Sequence, residues 1–439
     1  MFQQLLNEID CSLLVDEHQK ADKNLNILLA EQIKHCNDPI GYGFTLFIWN
    51  GQIWMEDDDG LAILVQEVYK KVNARYSKVQ FDEVKRILIQ RSHIEARELN
   101  RCKTHIPFKN GEYNIATKQV EPFDSSHLFT YQLQFDSSFV GKCPVFLNYL
   151  ATCIPDQAIR DKLCIFAAYM LTNRIDLQKA CILYGVGGSG KSIFLSIMNK
   201  IFEVGDLASG VALQYLGDRF NKILYAGKLA NIYDDLTEAD LVTDSFFKIL
   251  TGFEYIKDAE FKGLNERIKY RNTVKLLFSC NLLPFPRFDA LSPFFQRWII
   301  IPFLNTFRGT DKENHSLLDE LESELNAIVV YFLSFLPRLD ELRATTEEAT
   351  RKTWMMYSSS VVSYLEQSQR DDSYVAICSD YYEQYLAYCR KEKLVSVSYK
   401  KFGSTLQEQG ISRVQRTVYK TLSEKSIEWV YLGVMVTVQ

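Results

Sequence analysis

The sequence predicts an α/β protein built on a mainly parallel sheet, preceded by an α+β unit and followed by a compact helix-and-hairpin unit. Three observations carry this prediction. Between Ala180 and Phe202 the run ACILY, the loop GVGGSGKS and the segment IFLSIMNKIF give a buried strand, a glycine loop and an apolar-rich helix, in that order. Further strand candidates at KLANIYDD, VKLLFSCN and RWIIIPF alternate with helical patterns, as in a parallel sheet covered on both faces. Ahead of them, FTLFIWNGQIWMED alternates around Asn50-Gly51 and HIPFKNGEYNIAT turns at Asn110-Gly111, two hairpin signals, while LAILVQEVYKKV repeats at helical spacing.

A chain of 439 residues exceeds one ordinary core, and at ~100–200 residues per domain it divides into two to four. The pattern places boundaries at 1–135, 136–370 and 371–439. FLNYLATCI and AIRDKLCIFAAYMLT are helical patterns that open the middle part, and SLLDELESELNAIVVYFLSFLPRLDEL is a long amphipathic helical region near its end. The polar stretch EQSQRDDS reads as a linker to the last unit. With 47% hydrophobic and 24% charged residues the composition is globular, and nothing reads as low-complexity.

A net charge of −5 argues against an evenly basic nucleic-acid coat and leaves room for a local basic patch. Ten cysteines are scattered without a Cys-x-x-Cys pair, so a zinc ribbon or finger is not expected. The N-terminal residues are acidic where a signal peptide would be basic, and no apolar run approaches the ~20 residues that span a bilayer. A reducing cytoplasm is the expected compartment, with no membrane partner.

Gly185-Val186-Gly187-Gly188-Ser189-Gly190-Lys191-Ser192 fits G-x-x-x-x-G-K-[ST]. Glycines let successive backbone N–H groups converge on phosphate oxygens, and the following helix points its positive end at the same anion. Lys191 would reach the β- and γ-phosphates and the Ser192 hydroxyl would ligate Mg²⁺, so ATP and Mg²⁺ are the expected ligands. A glycine-rich surface turn is the bland alternative, and the strand before and helix after argue against it. No acceptor-site pattern accompanies the loop, which speaks against a kinase.

Such a loop needs a carboxylate at the end of a neighbouring strand. LANIYDDL offers Asp234 and Asp235, the first acting through the metal (Asp234 with Mg²⁺) and the second polarising water. An acid-rich helix N-terminus is the competing reading. VKLLFSCNLLPFP ends at Asn281, whose amide could reach the γ-phosphate or its attacking water; alone it is an ordinary strand-ending Asn. Arg297, just before RWIIIPF's strand, could act on a neighbouring subunit's nucleotide as a finger, or form a surface salt bridge.

In their order and spacing GVGGSGKS, KLANIYDDL, KILTGFEYIKDAEFKG, KLLFSCNLLPFP and FQRWIIIPF resemble the superfamily-three helicases, and most closely the primase-helicase group of poxviruses, phages and mobile elements. IWNGQIWMED looks like that group's N-terminal domain and SDYYEQYLAYCRKEKLVSVSYKKFGSTLQEQGI like its C-terminal winged helix. The resemblance implies an AAA+ ring, usually hexameric, with ATP between subunits and a replicative DNA helicase activity. It makes Asp234 and Asp235 the Walker B pair, Asn281 the sensor and Arg297 the finger. The segment from Lys257 to Lys269 corresponds to a hairpin pointing into the pore, with Lys262 the foremost candidate for gripping a DNA backbone. Relatives often carry two arginines where this chain has Gln296-Arg297, and Glu where Asp235 stands, so the finger and the water-polarising acid stay open. The chain starts near the helicase's own N-terminal domain, so a stand-alone helicase without a primase domain is expected, translocating 3′ to 5′ as relatives do.

Without the family match Lys257, Lys262 and Lys269 read as a solvated hairpin. With it, they suit single-stranded or forked DNA, because lysine pairs with phosphate irrespective of sequence. From Ser373 onward nine lysines and arginines stand against six acids, a balance of +3 in an acidic protein. VSVSYKKFGSTLQEQ would be the recognition helix, capped by Ser398, with Lys400 and Lys401 near its start facing origin duplex DNA, and SRVQRTVYKT with IEWVYLGV the wing. Winged helices also bind proteins. Two other functions remain open: an AAA+ loader or remodeller acting on protein, and an origin-binding ATPase that switches assembly without unwinding.

Overall fold

The computed structural model describes residues 2–16, 20–95, 98–236, 245–260, 262, 267–284, 293–307, 309–310, 314, 316–368, 370–392, 394–419 and 425–435. The chain opens with α1 (Phe2–Glu8), α2 (Leu25–Asn37), an antiparallel sheet of β1 (Ile40–Tyr42), β2 (Thr45–Trp49) and β3 (Trp54–Glu56), then α3 (Asp58–Lys71) and α4 (Lys78–Arg91). The turn at Asn50-Gly51 pairs Trp49 with Trp54, and the Asn50 carboxamide oxygen accepts the N–H groups of Gln52 and Ile53 at 2.9 and 2.8 Å. Leu29, Ile33, Val65, Val68 and Leu88 are fully buried where the helices meet this sheet.

A second meander follows, β4 (His105–Phe108), β5 (Gly111–Asn114) and β6 (Gln119–Glu121), turning at Asn110-Gly111. Its apolar face, with Ile106 and Phe108, joins the core under α5 (Pro144–Cys153) and α6 (Gln157–Met170).

The central part alternates β7 (Ala180–Tyr184), α7 (Lys191–Glu203), β8 (Ala208–Ser209), β9 (Ala230–Leu236), α8 (Ser245–Gly252), the hairpin β10 (Tyr255–Glu260) and β11 (Arg267–Arg271), β12 (Lys275–Cys280) and β13 (Trp298–Pro302). Five strands form one all-parallel sheet in the order β13-β7-β12-β9-β8. Every residue of β7 is buried. Cys181 and Leu183 enter the core shared with α6 and α7, while Ala180, Ile182 and Tyr184 enter a second core on the opposite face. Burial on both faces is why these strands read as unbroken apolar runs.

Two sequence expectations change here. The long helical region near 316–342 is broken into α9 (Leu317–Ser323), α10 (Leu325–Leu333) and a 3₁₀ segment, Leu336–Ala344. The first break falls at Glu324, whose carboxylate turns aside to accept the N–H groups of Val145 and Phe146 at 3.1 and 2.9 Å, capping α5. The polar linker runs into a strand: after α11 (Glu347–Ser358) and α12 (Ser360–Gln367), β14 (Arg370–Ile377) pairs with β16 (Lys425–Val434). That sheet, in the order β14-β16-β15 with β15 (Arg413–Tyr419), packs on α13 (Cys378–Glu392) and α14 (Tyr399–Glu408). Ser398 caps α14 through the Lys401 N–H.

The second face of the central sheet is closed by an aromatic stack. Trp354 of α11 is fully buried against Phe294, Phe295 and Trp298 and donates its indole N–H to the Pro284 carbonyl at 3.0 Å. Trp354→Ala is expected to cost about 3–5 kcal/mol through the cavity and the orphaned carbonyl, read as a lower denaturant midpoint.

Candidate functional site

At the carboxyl edge of the parallel sheet three chain segments leave side by side, because β12 lies between β7 and β9. From β7 comes the loop Gly185–Gly190, from β9 the pair Asp234-Asp235, and from β12 Ser279 and Asn281. A crevice at such an edge is where open α/β sheets bind ligands. The cleft here measures about 800 Å³ and is lined by Gly187 to Ile193, both aspartates, Ser279 and Asn281, with Pro144, Val145, Tyr149, Phe307 and Leu317 as its apolar part.

The loop's shape follows from its glycines. Gly185 sits at φ +155°, and a Cβ there would meet the Phe303 carbonyl oxygen at 2.0 Å. Gly190 sits at φ +100° at the start of α7, and its Cβ would lie 2.7 Å from the Cys153 sulfur. Neither position accepts another residue without rearrangement. The loop is braced from both sides: the Tyr149 hydroxyl donates to the Gly190 carbonyl at 2.8 Å, and the Phe307 N–H to that of Gly188 at 2.9 Å.

Lys191 is buried, and its ammonium donates to the carbonyls of Gly185 and Val186 at 2.5 and 3.1 Å and to the Asn281 carboxamide oxygen at 3.2 Å. Desolvation pulls its pKa below the usual lysine value, while Cys280, Asp234 and Asp235 favour its charge. Asn281 in turn donates to Asp235 at 3.3 Å. The Ser279 hydroxyl donates to an Asp234 oxygen that also accepts the Asp235 N–H at 2.9 Å. Asp235 stands in the left-handed region at φ +56°, where the ladder between β9 and β12 shifts register. Ser192 is exposed in the first turn of α7. Converging N–H groups at a helix start can hold an anion, and carboxylates beside a hydroxyl can hold a hard divalent cation.

Lys191, Ser192, Asp234, Asp235 and Asn281 are thus brought together, whereas Arg297 is not. It precedes β13, at the amino edge of the same sheet, with its guanidinium donating to the Pro293 carbonyl at 2.7 Å and lying close to Gly252. Lys257 and Lys269 are exposed on β10 and β11, and Lys262 is exposed between these strands. Residues 261 and 263–266 of that hairpin segment lie outside the described residues. Lys400 and Lys401 are exposed in the first turn of α14; Lys393 and Lys420 lie outside the described residues. Sequence reasoning missed Ser279 and Tyr149. Ser279 is a buried polar residue inside an apolar strand, a readable signal, whereas nothing in the pattern of α5 points Tyr149 at the loop.

Residues 34–155 match the family described as D5 N terminal like, and residues 183–293 a family of unknown function (DUF5906). No curated protein matches the chain. Among solved structures, the apo structure of the NrS-1 C-terminal region (305–718) is similar over 94% of this chain and 100% of that chain, with a TM-score of 0.53 and 11% identity. Two A-form apo structures of the same region give TM-scores of 0.45 and 0.47 at 12% identity, over 89% and 93% of this chain and 94% and 99% of theirs. At such identity the first likeness shows a shared fold.

At the amino edge, Lys179 is buried and donates to the Gln296 carbonyl. Burial, then Lys162, Arg297 and Arg343, pull its pKa down to about 8 from 10.5. Between these two values the unfolded chain binds more protons, so Lys179 contributes stability that grows as pH rises through the window. Denaturant midpoints measured at several pH values from 7.5 upward are expected to rise less steeply in Lys179→Met than in the unaltered chain.

Proposed function

We propose that this chain is an ATP-hydrolysing P-loop motor of the AAA+ type, assembled as a hexameric ring that translocates on single-stranded DNA as the replicative helicase of a phage, plasmid or mobile element. The observation that carries the reading is one cleft lined by the glycine loop, Lys191, both aspartates, Ser279 and Asn281. The donor set fits nucleotide and metal: Gly187 has open space beyond its Cα, and an apolar wall of Pro144, Val145, Tyr149, Phe307 and Leu317 suits a base. Ser192 and Asp234 would hold Mg²⁺, which supplies charge neutralisation at the transferred phosphate. Lys191 would exchange its loop carbonyls for phosphate oxygens. Asp234 accepts from Ser279, and Asp235, bonded to Asn281, would orient the attacking water with it.

Arg297, at the opposite edge of the sheet, suits a finger for the neighbouring subunit's nucleotide. The exposed lysines of the β10–β11 hairpin suit a DNA backbone in the pore. The divisions 1–135, 136–370 and 371–439 would be an N-terminal domain, the motor and a winged helix whose Lys400 and Lys401 contact duplex DNA. The D5-like match over 34–155 supports a replication role.

Purified protein is expected to hydrolyse ATP and unwind a DNA fork, Lys191→Ala to lose at least 10²-fold in ATPase rate, and Lys262→Ala to keep hydrolysis but lose unwinding. Robust hydrolysis without unwinding on any fork overturns the helicase in favour of a loader or assembly switch. Replacing Lys400 and Lys401 by Ala is expected to lower the slope of log affinity against log salt for duplex DNA by about 1 per lysine, measured by fluorescence anisotropy.

A further inference from the structure

A second cluster lies on the β4–β6 meander, and none of its residues lines the cleft. Strand register puts His105, Glu112 and Glu121 on the face opposite the apolar one, and the 3₁₀ turn Ser125–His127 folds over them. Cys102, three residues before His105, completes the group: Cys102, His105 and His127 each place a ligand atom within 4.8 Å of the other two. We propose that these three side chains form a transition-metal site, with Zn²⁺ as its ion.

The tautomers support this assignment. An ionised carboxylate only accepts, so the bonds place a donor at Nε2 of His105 facing Glu121 (3.1 Å) and at Nδ1 of His127 facing Glu112 (2.5 Å). With a metal bound, the other nitrogens, Nδ1 of His105 and Nε2 of His127, would supply the lone pairs. A carboxylate behind each imidazole is the arrangement that orients metal-bound histidines and raises their basicity. Glu112 is itself fixed, being 1% exposed and accepting the Asp124 N–H at 3.0 Å. The rings stack with centroids 4.5 Å apart at 27°, which holds the two imidazoles side by side.

Distances agree with a tetrahedral ion. Zn–S of ~2.3 Å and Zn–N of ~2.0 Å separate neighbouring ligand atoms by roughly 3.5 Å. Cys102 Sγ and His105 Nδ1 are already 3.7 Å apart, and with all three ligand atoms within 4.8 Å of one another the widest pair needs to contract by at most roughly 1.3 Å. The Thr104 hydroxyl, 2.9 Å from His105 Nδ1, would yield that contact to the ion. One thiolate with two imidazoles selects Zn²⁺ over the hard Mg²⁺ of a nucleotide site. Binding releases the Cys102 thiol proton to solvent, and both carboxylates stay behind the rings, leaving water as the fourth ligand. The ion would clasp the segment before β4 to the turn after β6. That segment also meets the central part, through Asn173 on the Cys102 carbonyl (3.2 Å) and Lys103 paired with Glu254 (2.9 Å) just ahead of β10.

The test uses the full chain, stripped by chelator and titrated with Co²⁺ and Zn²⁺. One equivalent of Co²⁺ is expected to give a thiolate-to-cobalt charge-transfer band with tetrahedral ligand-field absorption, displaced by Zn²⁺. Cys102→Ser is expected to abolish the band, and Glu112→Gln to weaken Zn²⁺ binding 10–100-fold. Asp234→Asn, on the nucleotide side, should leave the spectrum unchanged, which separates this site from the proposed ATPase. Should Cys102→Ser fail to fold, His127→Gln provides the same loss of one equivalent. Absence of a thiolate band from the unaltered chain, or its survival in Cys102→Ser, overturns the proposal and leaves a carboxylate-paired histidine stack.

Discussion

Because β12 runs between β7 and β9, the glycine loop, the paired aspartates and Asn281 emerge from adjacent strand ends and meet within hydrogen-bond reach. The strand is pinned at both ends by side-chain hydrogen bonds, and two of the groups that make them, Lys275 and Ser279, are buried where they could not be left unpaired. At its start Lys275 is 1% exposed, and its ammonium donates to the carbonyls of Thr172 and Thr273 while lying 5.6 Å from the centre of the Tyr169 ring. Burial pushes its pKa well below the ordinary value. At its end Ser279 and Asn281 hold the aspartates. Between these anchors Leu276, Leu277 and Phe278 are fully buried. Shifting β12 by one residue would invert both faces and break every one of these contacts.

The same order explains the state of Lys191. A buried ammonium must be satisfied by acceptors, and the loop's own carbonyls with Asn281 supply them. A chain of hydrogen bonds thus runs from Lys191 through Asn281 to Asp235. In the proposed motor an anion entering the loop would compete with carbonyl oxygens for the ammonium, and a charged acceptor would make the stronger bond. Tyr149 and Cys153 lie behind Gly190, at the start of α7.

Much of this was legible in the sequence where one residue type answers one physical need. Glycines at 185 and 190 mark positive φ and close approach, unbroken apolar runs mark strands covered twice, and Asp234, Asp235 and Asn281 mark strand ends. The hairpins at Asn50-Gly51 and Asn110-Gly111 were equally plain. What stayed hidden depends on contacts distant along the chain. Glu324 interrupts an apparently continuous helix because its carboxylate is taken by the start of α5, and the polar stretch EQSQRDDS runs into β14 because β16 offers it an edge. Cys102, His105 and His127 carry no spacing motif, since a meander rather than a loop brings the last of them near.

The topology also bears on how a hairpin could be driven from the cleft. β10 and β11 are inserted between β9 and β12, the two adjacent strands that end in the aspartates and in Asn281. The return from β11 into β12 is short and firmly held: Asn272 donates to the carbonyls of Leu250 and Phe253 at 2.6 and 3.0 Å, and Thr273 to that of Lys228 at 2.7 Å. Asn272 and Thr273 are both buried, so the connection cannot absorb displacement by local fraying. In the proposed motor, any change in spacing between Asp235 and Asn281 therefore moves the two strands from whose ends the hairpin grows. Through that firmly held return, a shift of β12 in the proposed motor would be passed to β11 and its exposed Lys269.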